Sequence, residues 1–215
     1  MKLKNDRRNA FTLIELLVVI TIIGILATLA PSAIAMMLEA ADRTKAISNA
    51  RNIYLGLRGY SRDHEGMFPT GETAAAAFSK LLAQEEGAQG YIPGKKEFKV
   101  KGSAWTRTRA EAGEGERGKL GEGENHWGYM ANLNDADNAR WPLVFDGPAS
   151  ADGKYSAKRS EKGGVWSGKV AIVVRVSGDA KEETLEGLTI KTDGQQNVLR
   201  ASENWLNEGK LLMPY

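Results

Sequence analysis

The chain of 215 residues contains no cysteine and only two histidines. The absence of cysteine excludes disulfide bonds and thiol chemistry, so the fold must rely on packing alone. The histidines, His64 and His126, belong to no metal-ligand spacing, and the sequence contains no G-x-S-x-G nucleophile motif. We therefore predict a protein that is not an enzyme, and we expect both histidines to be exposed to solvent.

The chain also lacks a strong excess of either charge, since its formal net charge is +2. The first ten residues account for this value, because they hold four basic residues and one acid. The rest of the chain is close to neutral and has no basic field to neutralise phosphates. This balance excludes nucleic acid as a partner.

One long apolar run follows the basic leader of residues 1–10. It covers twenty residues, Phe11 to Ala30, and contains a single charged side chain, Glu15. Its length is enough to span the roughly 30 Å hydrocarbon core of a bilayer. The positive leader predicts that the N-terminus is cytoplasmic and that residues beyond about Ser32 face outward.

An ionised carboxylate in this run needs a partner, since burying it in hydrocarbon costs about 2–4 kcal/mol. If the chain is cut between Ala10 and Phe11, the new α-amino group of Phe11 lies one helical turn from Glu15. The amine and the carboxylate can then pair within one chain or between neighbouring subunits.

The basic leader, the small residue Ala10, the sequence Phe-Thr-Leu-Ile-Glu and the apolar run with Gly24 and Pro31 resemble type IV prepilins and type II secretion pseudopilins. The resemblance implies that a prepilin peptidase cleaves between Ala10 and Phe11 and methylates the Phe11 amine. It also implies that Glu15 acts in assembly. The family usually has glycine before the cut, so Ala10 predicts slower processing.

The same resemblance implies the partners and the location of the protein. The partners would be copies of itself, other pilin-like subunits, the prepilin peptidase, the inner-membrane assembly platform and the membrane. The protein would be a single-pass inner-membrane protein with a periplasmic or extracellular C-terminal domain, and part of a filament after assembly. The sequence Met-Phe-Pro-Thr-Gly at residues 67–71 favours a type II secretion major pseudopilin over a true pilin.

Two other interpretations stay open. Ala33-Ile34-Ala35 fits the pattern of a cleaved secretory signal, although the apolar run exceeds the usual length of about 7–15 residues. The chain could instead be a membrane-tethered, outward-facing ligand-binding domain that does not polymerise.

Helical periodicity predicts one long helix from about Thr12 to Leu57. Residues 11–32 form its membrane and assembly half, and residues 33–59 form its amphipathic half. Gly24 and Pro31 predict a kink, because proline lacks the N–H that the helix needs; a plain break at Pro31 is the alternative. A short helix from about Thr73 to Glu86 follows, with Gly87 as its C-cap.

Residues 60–215 are predicted to form one outward-facing α+β domain, in which an antiparallel sheet lies against the long helix in a pilin-like arrangement. β-branched and aromatic runs bounded by turn residues predict its strands. The strands are expected at Trp141–Phe145, Val170–Val176 and Leu185–Lys191, with Val165-Trp166 as an extension of the second and Gln196–Leu199 as a fourth.

The stretch from Gly87 to Gly128 predicts irregular structure, with a short strand around Glu97 to Lys101 and a glycine-rich loop at about residues 111–124. The segment from Ser202 predicts a turn around Trp205 and an extended tail. The glycine spacings at residues 113–119 resemble phosphate-binding loops, but no apolar strand precedes them, so we expect a surface loop.

No cofactor is expected, although calcium is possible. The hard oxygens of Asn134, Asp135 and Asp137 are weak calcium candidates, because Ca²⁺ prefers oxygen ligands, and a polar turn is the default interpretation. All five tryptophans fall in the second half of the chain. We expect them to anchor the core of the sheet rather than to form a surface platform.

Overall fold

The computed structural model describes residues 11–84, 87–106, 117–191, 197–200 and 209–215, without the side chains of residues 28–33. Ala10 and its leader, the glycine-rich residues 113–116 and the predicted turn around Trp205 lie outside the described residues. The chain divides into two compact units, residues 1–41 and residues 42–215, and each is described by itself.

Helix α1 covers Leu13–Asp63, so it ends later than the predicted Leu57. It is helical at both Gly24 and Pro31, and the alternative of a plain break at Pro31 is therefore wrong. The kink at these two residues stays a prediction. Within the part of the chain that the structure describes, none of the helices reaches the length and apolar content that crossing a membrane requires.

The first unit consists of an apolar helix whose side chains are exposed. Every described residue from Phe11 to Ala27 is exposed, and the exposed fractions of Phe11 and Leu13 reach 74% and 81%. Contiguous apolar surface of this kind marks an interaction site in proteins.

The second unit is built on the C-terminal part of α1. One face of the helix is fully buried through Ala46, Ala50, Ile53 and Leu57, whose spacing of three or four residues places them on one side. The hydroxyl of Tyr54 donates a hydrogen bond of 3.0 Å to the backbone oxygen of Val176. This part of α1 is thereby fixed to the end of a sheet strand.

A six-stranded antiparallel sheet faces this helix. Its strands are β1 (Trp127–Ala131), β2 (Pro142–Asp146), β3 (Val170–Arg175), β4 (Ala180–Glu186), β5 (Thr189–Ile190) and β6 (Lys210–Leu212), in the spatial order β5-β4-β3-β2-β1-β6. All pairs are antiparallel. The predicted α+β, pilin-like class is therefore confirmed.

Two of the predicted strands are confirmed, since β2 and β3 lie where Trp141–Phe145 and Val170–Val176 were expected. The single strand predicted at Leu185–Lys191 is wrong. Gly187 and Leu188 both have positive φ, 59° and 62°, and they turn the chain between β4 and β5.

Three further strand predictions are corrected by the structure. Val165 and Trp166 lie in a turn before β3 and do not extend it. Residues 96–98 form a short 3₁₀ helix where a strand was expected. The predicted fourth strand is reduced, within the described residues, to an isolated bridge between Lys191 and Asn197.

Helix α2 is shorter than predicted and covers Ala74–Ser79. Thr73 caps its start, because the Thr73 hydroxyl accepts a 3.2 Å hydrogen bond from the backbone N–H of Ala76. The helix ends at Ser79, so Gly87 is not its C-cap, as had been expected.

The end of the described chain is extended, as predicted, and it forms backbone hydrogen bonds with the sheet and with α2. Strand β6 joins the edge of the sheet beside β1. The next two residues reach α2, where the backbone oxygens of Met213 and Pro214 accept hydrogen bonds of 2.9 and 3.1 Å from the N–H groups of Ala74 and Ala75. These two bonds satisfy donors that the first turn of a helix leaves without partners.

The described tryptophans confirm the expectation of core anchoring. Trp105, Trp127 and Trp166 are at most 4% exposed, and Trp141 packs against the core from a partly buried position. Trp205 lies outside the described residues.

Candidate functional site

The candidate site for processing and assembly lies at the start of α1. Thr12 and Glu15 bind each other reciprocally there. The backbone N–H and the hydroxyl of Thr12 each donate a 2.8 Å hydrogen bond to Oε2 of Glu15. In return, the backbone N–H of Glu15 donates to the Thr12 hydroxyl at 3.3 Å. This arrangement is a capping box, in which Thr12 is the N-cap and Glu15 the third helical residue.

The capping box gives Glu15 a role within its own chain. A carboxylate in the first turn of a helix also interacts favourably with the positive end of the helix dipole. Both donated bonds end on Oε2, so within the described residues Oε1 stays open to a further donor. The carboxylate can therefore cap its own helix through Oε2 and at the same time accept a hydrogen bond from another group through Oε1.

Of the residues predicted for this site, Phe11 and Glu15 are described by the structure. Phe11 is exposed and directly precedes Thr12, whereas Ala10 lies outside the described residues. Thr12 was missed by the sequence reasoning. Its signal was present, because Thr-x-x-Glu before an apolar run is the spacing of a capping box.

The weak calcium candidates form a polar turn with internal partners. Oδ2 of Asp135 forms a 2.9 Å ion pair with the guanidinium of Arg58. Oδ2 of Asp137 accepts from the backbone N–H of Asn134 at 2.7 Å, and Oδ1 of Asn134 accepts from the N–H of Ala136 at 2.9 Å. The described residues contain no group of three or more His, Cys, Asp or Glu that could hold a metal ion. Calcium binding at this turn stays a prediction.

The two histidines differ in their surroundings. His64 is exposed, as predicted. His126 is only 2% exposed, so the expectation of a solvated ring is wrong. Its Nδ1 lies 2.9 Å from the backbone N–H of Val100, and its Nε2 lies 3.1 Å from the Thr106 hydroxyl. Nδ1 also lies 3.0 Å from the Val100 backbone oxygen, so the ring contacts both backbone polar groups of Val100.

Burial lowers the pKa of His126, because a charged ring loses its hydration inside the protein. Hydrogen bonds to the backbone of Val100 and Gly123 oppose that change, while nearby Lys99 adds to it. The ring therefore serves as a neutral link between β1 and the segment that carries Val100 and Thr106.

A second buried ionisable group is Asp146, at the end of β2. It is 1% exposed, and its Oδ1 accepts a 2.7 Å hydrogen bond from the N–H of Ile172. Its Oδ2 is buried with no hydrogen-bond partner among the described residues. Burial raises the pKa of Asp146 to about 7, against the lowering effect of the Ile172 bond. Neither Asp146 nor His126 belongs to the processing site.

The comparisons with known proteins agree with the geometry of the first unit. Residues 5–31 match the family model of the prokaryotic N-terminal methylation motif. The chain is also 36% identical over 90 residues to the type II secretion system core protein G of Pectobacterium carotovorum subsp. carotovorum. That alignment covers 40% of this chain and 58% of the relative, so the chain spans little more than half the length of the protein that it matches. No solved structure matches the chain significantly.

The class of the N-terminus is thus a prepilin-type methylation motif. The predicted resemblance to a type II secretion pseudopilin is confirmed. The motif match includes Ala10, Phe11 and Glu15, so the residues predicted for processing and assembly fall inside it.

Proposed function

We propose that this chain is a structural subunit of a type II secretion pseudopilus or a related type IV pilus-like filament, and not an enzyme. One observation carries the proposal: the methylation motif covers the segment in which a capped Glu15 begins a helix with exposed apolar side chains. Such a helix needs an apolar environment, which the membrane supplies before assembly and packed copies of the same helix supply afterwards. The function requires no cofactor.

The proposed precursor is cut between Ala10 and Phe11 by a prepilin peptidase and methylated at the Phe11 amine. It is held in the inner membrane with its leader in the cytoplasm and residues 42–215 outside. The assembly platform then adds it to copies of itself and to other pilin-like subunits. The likeness to core protein G favours the secretion pseudopilus over a true pilus.

Glu15 is the proposed assembly residue. Its carboxylate would form an ion pair with the α-amino group of Phe11 in the same or a neighbouring subunit. Pairing is favourable there because an uncompensated charge is costly in an apolar environment. The capping box supports this role, since it fixes the carboxylate in the first turn of α1 while Oε1 can take another donor.

The first experiment is an intact-mass and N-terminal analysis of the full chain purified from membranes of cells that contain a prepilin peptidase. We expect a chain that begins at Phe11 and carries one methyl group. A chain that begins at Met36 would support a secreted protein, and an uncut leader would support the tethered, non-polymerising domain. Either result would contradict the proposal.

The second experiment tests assembly with Glu15→Val. We expect membrane insertion to persist and incorporation into filaments to fail. Thr21→Val is the matched control, because it removes a polar group from the same exposed helix, where the Thr21 hydroxyl bonds only to the Leu17 backbone oxygen at 2.7 Å. Normal assembly of Glu15→Val, or equal loss in both variants, would contradict the role of Glu15.

A further inference from the structure

The part of α1 that belongs to the second unit carries positive charge only. Residues 43–62 hold five basic side chains and no acid. Arg51 and Arg62 are exposed, and their side chains form no ion pair or hydrogen bond with the described residues. Leu55, which is 61% exposed, lies on the same side of the helix, because spacings of four and seven residues return to one face. We call Arg51, Leu55 and Arg62 the basic face.

The loop that follows α1 carries the opposite charge. Residues 63–72 hold three acids and no lysine or arginine. Glu65 and Glu72 are exposed, and their side chains also form no ion pair or hydrogen bond with the described residues. Met67 lies between them in the sequence and is 45% exposed. We call Glu65, Met67 and Glu72 the acidic loop.

The apolar side chains of these two surfaces are unusual for the second unit. Among its described residues, the exposed large hydrophobic side chains are Leu55, Met67 and Tyr91. Tyr91 is the least exposed of them, at 36%, and its hydroxyl donates a 2.7 Å hydrogen bond to Asp63. Leu55 and Met67 are therefore two large apolar side chains that the fold leaves exposed, each beside charges of one sign. An apolar centre with a polar rim is the usual anatomy of a protein–protein contact.

The acidic loop is held in a fixed position by backbone hydrogen bonds. The N–H of Phe68 donates to the backbone oxygen of Leu133 at 3.2 Å. The N–H of Asp135 donates to the backbone oxygen of Gly66 at 2.9 Å. These bonds fasten the loop to the segment after β1, in an arrangement where its carboxylates do not pair with the basic face of the same chain. The charges of each surface are thus free to meet those of another chain.

We propose that the basic face of one subunit docks on the acidic loop of a second copy of this chain. Leu55 packs against Met67 of the other copy, and the two arginines face the two glutamates. Exposed ion pairs contribute little singly, so the apolar contact supplies the affinity while the charges set the orientation. Because two different surfaces meet, the contact is head-to-tail and can repeat from subunit to subunit. The inference rests on the proposed filament function, to which it adds a contact between the outward-facing units.

The absence of cysteine allows a direct test by disulfide cross-linking. The full chain is prepared in detergent as two differently tagged variants, Leu55→Cys and Met67→Cys, which are mixed and oxidised with copper phenanthroline. We expect the mixed disulfide dimer to exceed the share that random collision gives, and added salt to reduce it, because exposed charges are screened. Thr184→Cys, at another exposed position of the same unit, is the control and should form no such excess with Leu55→Cys.

Charge reversal tests the pairing separately from the apolar contact. Arg51→Glu/Arg62→Glu, added to the Leu55→Cys chain, should remove the excess of the mixed dimer. Glu65→Lys/Glu72→Lys, added to the Met67→Cys chain, should then restore it. The matched control is Lys169→Glu/Lys181→Glu in the Leu55→Cys chain, which reverses two exposed charges elsewhere and should leave the yield unchanged.

Four results would overturn the proposal. They are equal yields from Met67→Cys and Thr184→Cys, equal loss in both charge-reversed Leu55→Cys chains, no recovery when both surfaces are reversed, and an excess of the Leu55→Cys homodimer, which would assign the basic face to symmetric pairing. The test uses neither leader cleavage nor filaments, so its failure contradicts only this docking surface. An uncut leader in the N-terminal analysis would instead contradict the filament function and leave the cross-linking result standing.

Discussion

The carboxylate of Asp146 accepts a 2.7 Å hydrogen bond from the backbone N–H of Ile172, so a side chain takes the place of a backbone acceptor between β2 and β3. The register of these strands also shifts between Pro142 and Val144. An ionisable group is thereby built into the centre of the sheet, where its other oxygen has no hydrogen-bond partner among the described residues.

Asp146→Asn should change the pH dependence of stability. Burial raises the folded-state pKa of Asp146 to about 7, above its ordinary 3.8, so the folded chain binds the proton more tightly. The contribution of Asp146 to the free energy of unfolding is therefore largest at low pH, and it falls as the pH rises from about 4 to 7. The uncharged amide should stabilise the protein by a few kcal/mol, on the order of 1.4 per pKa unit, at pH 8 and by about a third of that at pH 5.

Urea unfolding at pH 5 and pH 8, followed by tryptophan fluorescence, measures this difference. Asp179→Asn is the control, because Asp179 is on the surface in an ion pair with Lys181. Parallel pH curves for Asp146→Asn and the unmodified chain would contradict the prediction.

His126 should produce the opposite pH dependence. Its folded-state pKa lies below the ordinary 6.5, because burial disfavours the charged ring. The unfolded chain therefore binds the proton more tightly, and the stability contributed by this group is lost as the pH falls below about 6.5. His126→Gln should lower stability at pH 7 but should flatten its decline between pH 7 and pH 5.

The chain offers a matched control for this experiment in its other histidine. His64→Gln removes an imidazole that is exposed and serves as the comparison variant. The measurement is thermal unfolding by circular dichroism across that pH range. If His64→Gln flattens the profile and His126→Gln does not, the assignment to His126 is wrong.

Thr12→Val should weaken the start of α1. The substitution keeps the shape of the side chain but removes the hydroxyl, which accepts from the N–H of Glu15 and donates to its carboxylate. Loss of such a cap costs about 1 kcal/mol. Amide hydrogen exchange of Glu15, measured by NMR in micelles, should be faster in Thr12→Val and unchanged in Thr12→Ser. Equal exchange in all three chains would count against the capping box.

Tyr54→Phe should loosen α1 from the sheet. The variant removes the 3.0 Å hydrogen bond to the backbone oxygen of Val176 while it keeps the ring. The expected loss in the free energy of unfolding is about 1 kcal/mol. Leu55→Ala, at a neighbouring position that is 61% exposed, should change stability by less than about 0.5 kcal/mol. Urea unfolding of both variants decides the point, and a larger loss in Leu55→Ala would contradict it.

The features with strong local signals could be predicted from the sequence. The long helix follows from its apolar run and its spacing of three and four residues, and β2 and β3 follow from β-branched residues bounded by turns. The motif at Phe11 and Glu15 is equally local. These features need no knowledge of distant contacts.

The features that were missed depend on distant contacts. Strand β1 contains Gly128 and begins beside His126, so its composition resembles the irregular stretch before it. It becomes a strand because β2 and β6 pair with it on both sides. The burial of His126 similarly results from a segment that begins more than twenty residues earlier. The hairpin at Gly187-Leu188 was missed because leucine rarely adopts a positive φ.

The pairing of β6 with β1 has a consequence for the order in which the protein matures. Residues 210–212 complete the sheet from the far end of the described chain, more than seventy residues after β1. Until they arrive, β1 has a bare edge of backbone donors and acceptors, which is a known route to intermolecular strand pairing. Because synthesis proceeds from residue 1 towards residue 215, the chain passes through a period of exposure to aggregation until residues 210–212 dock on β1.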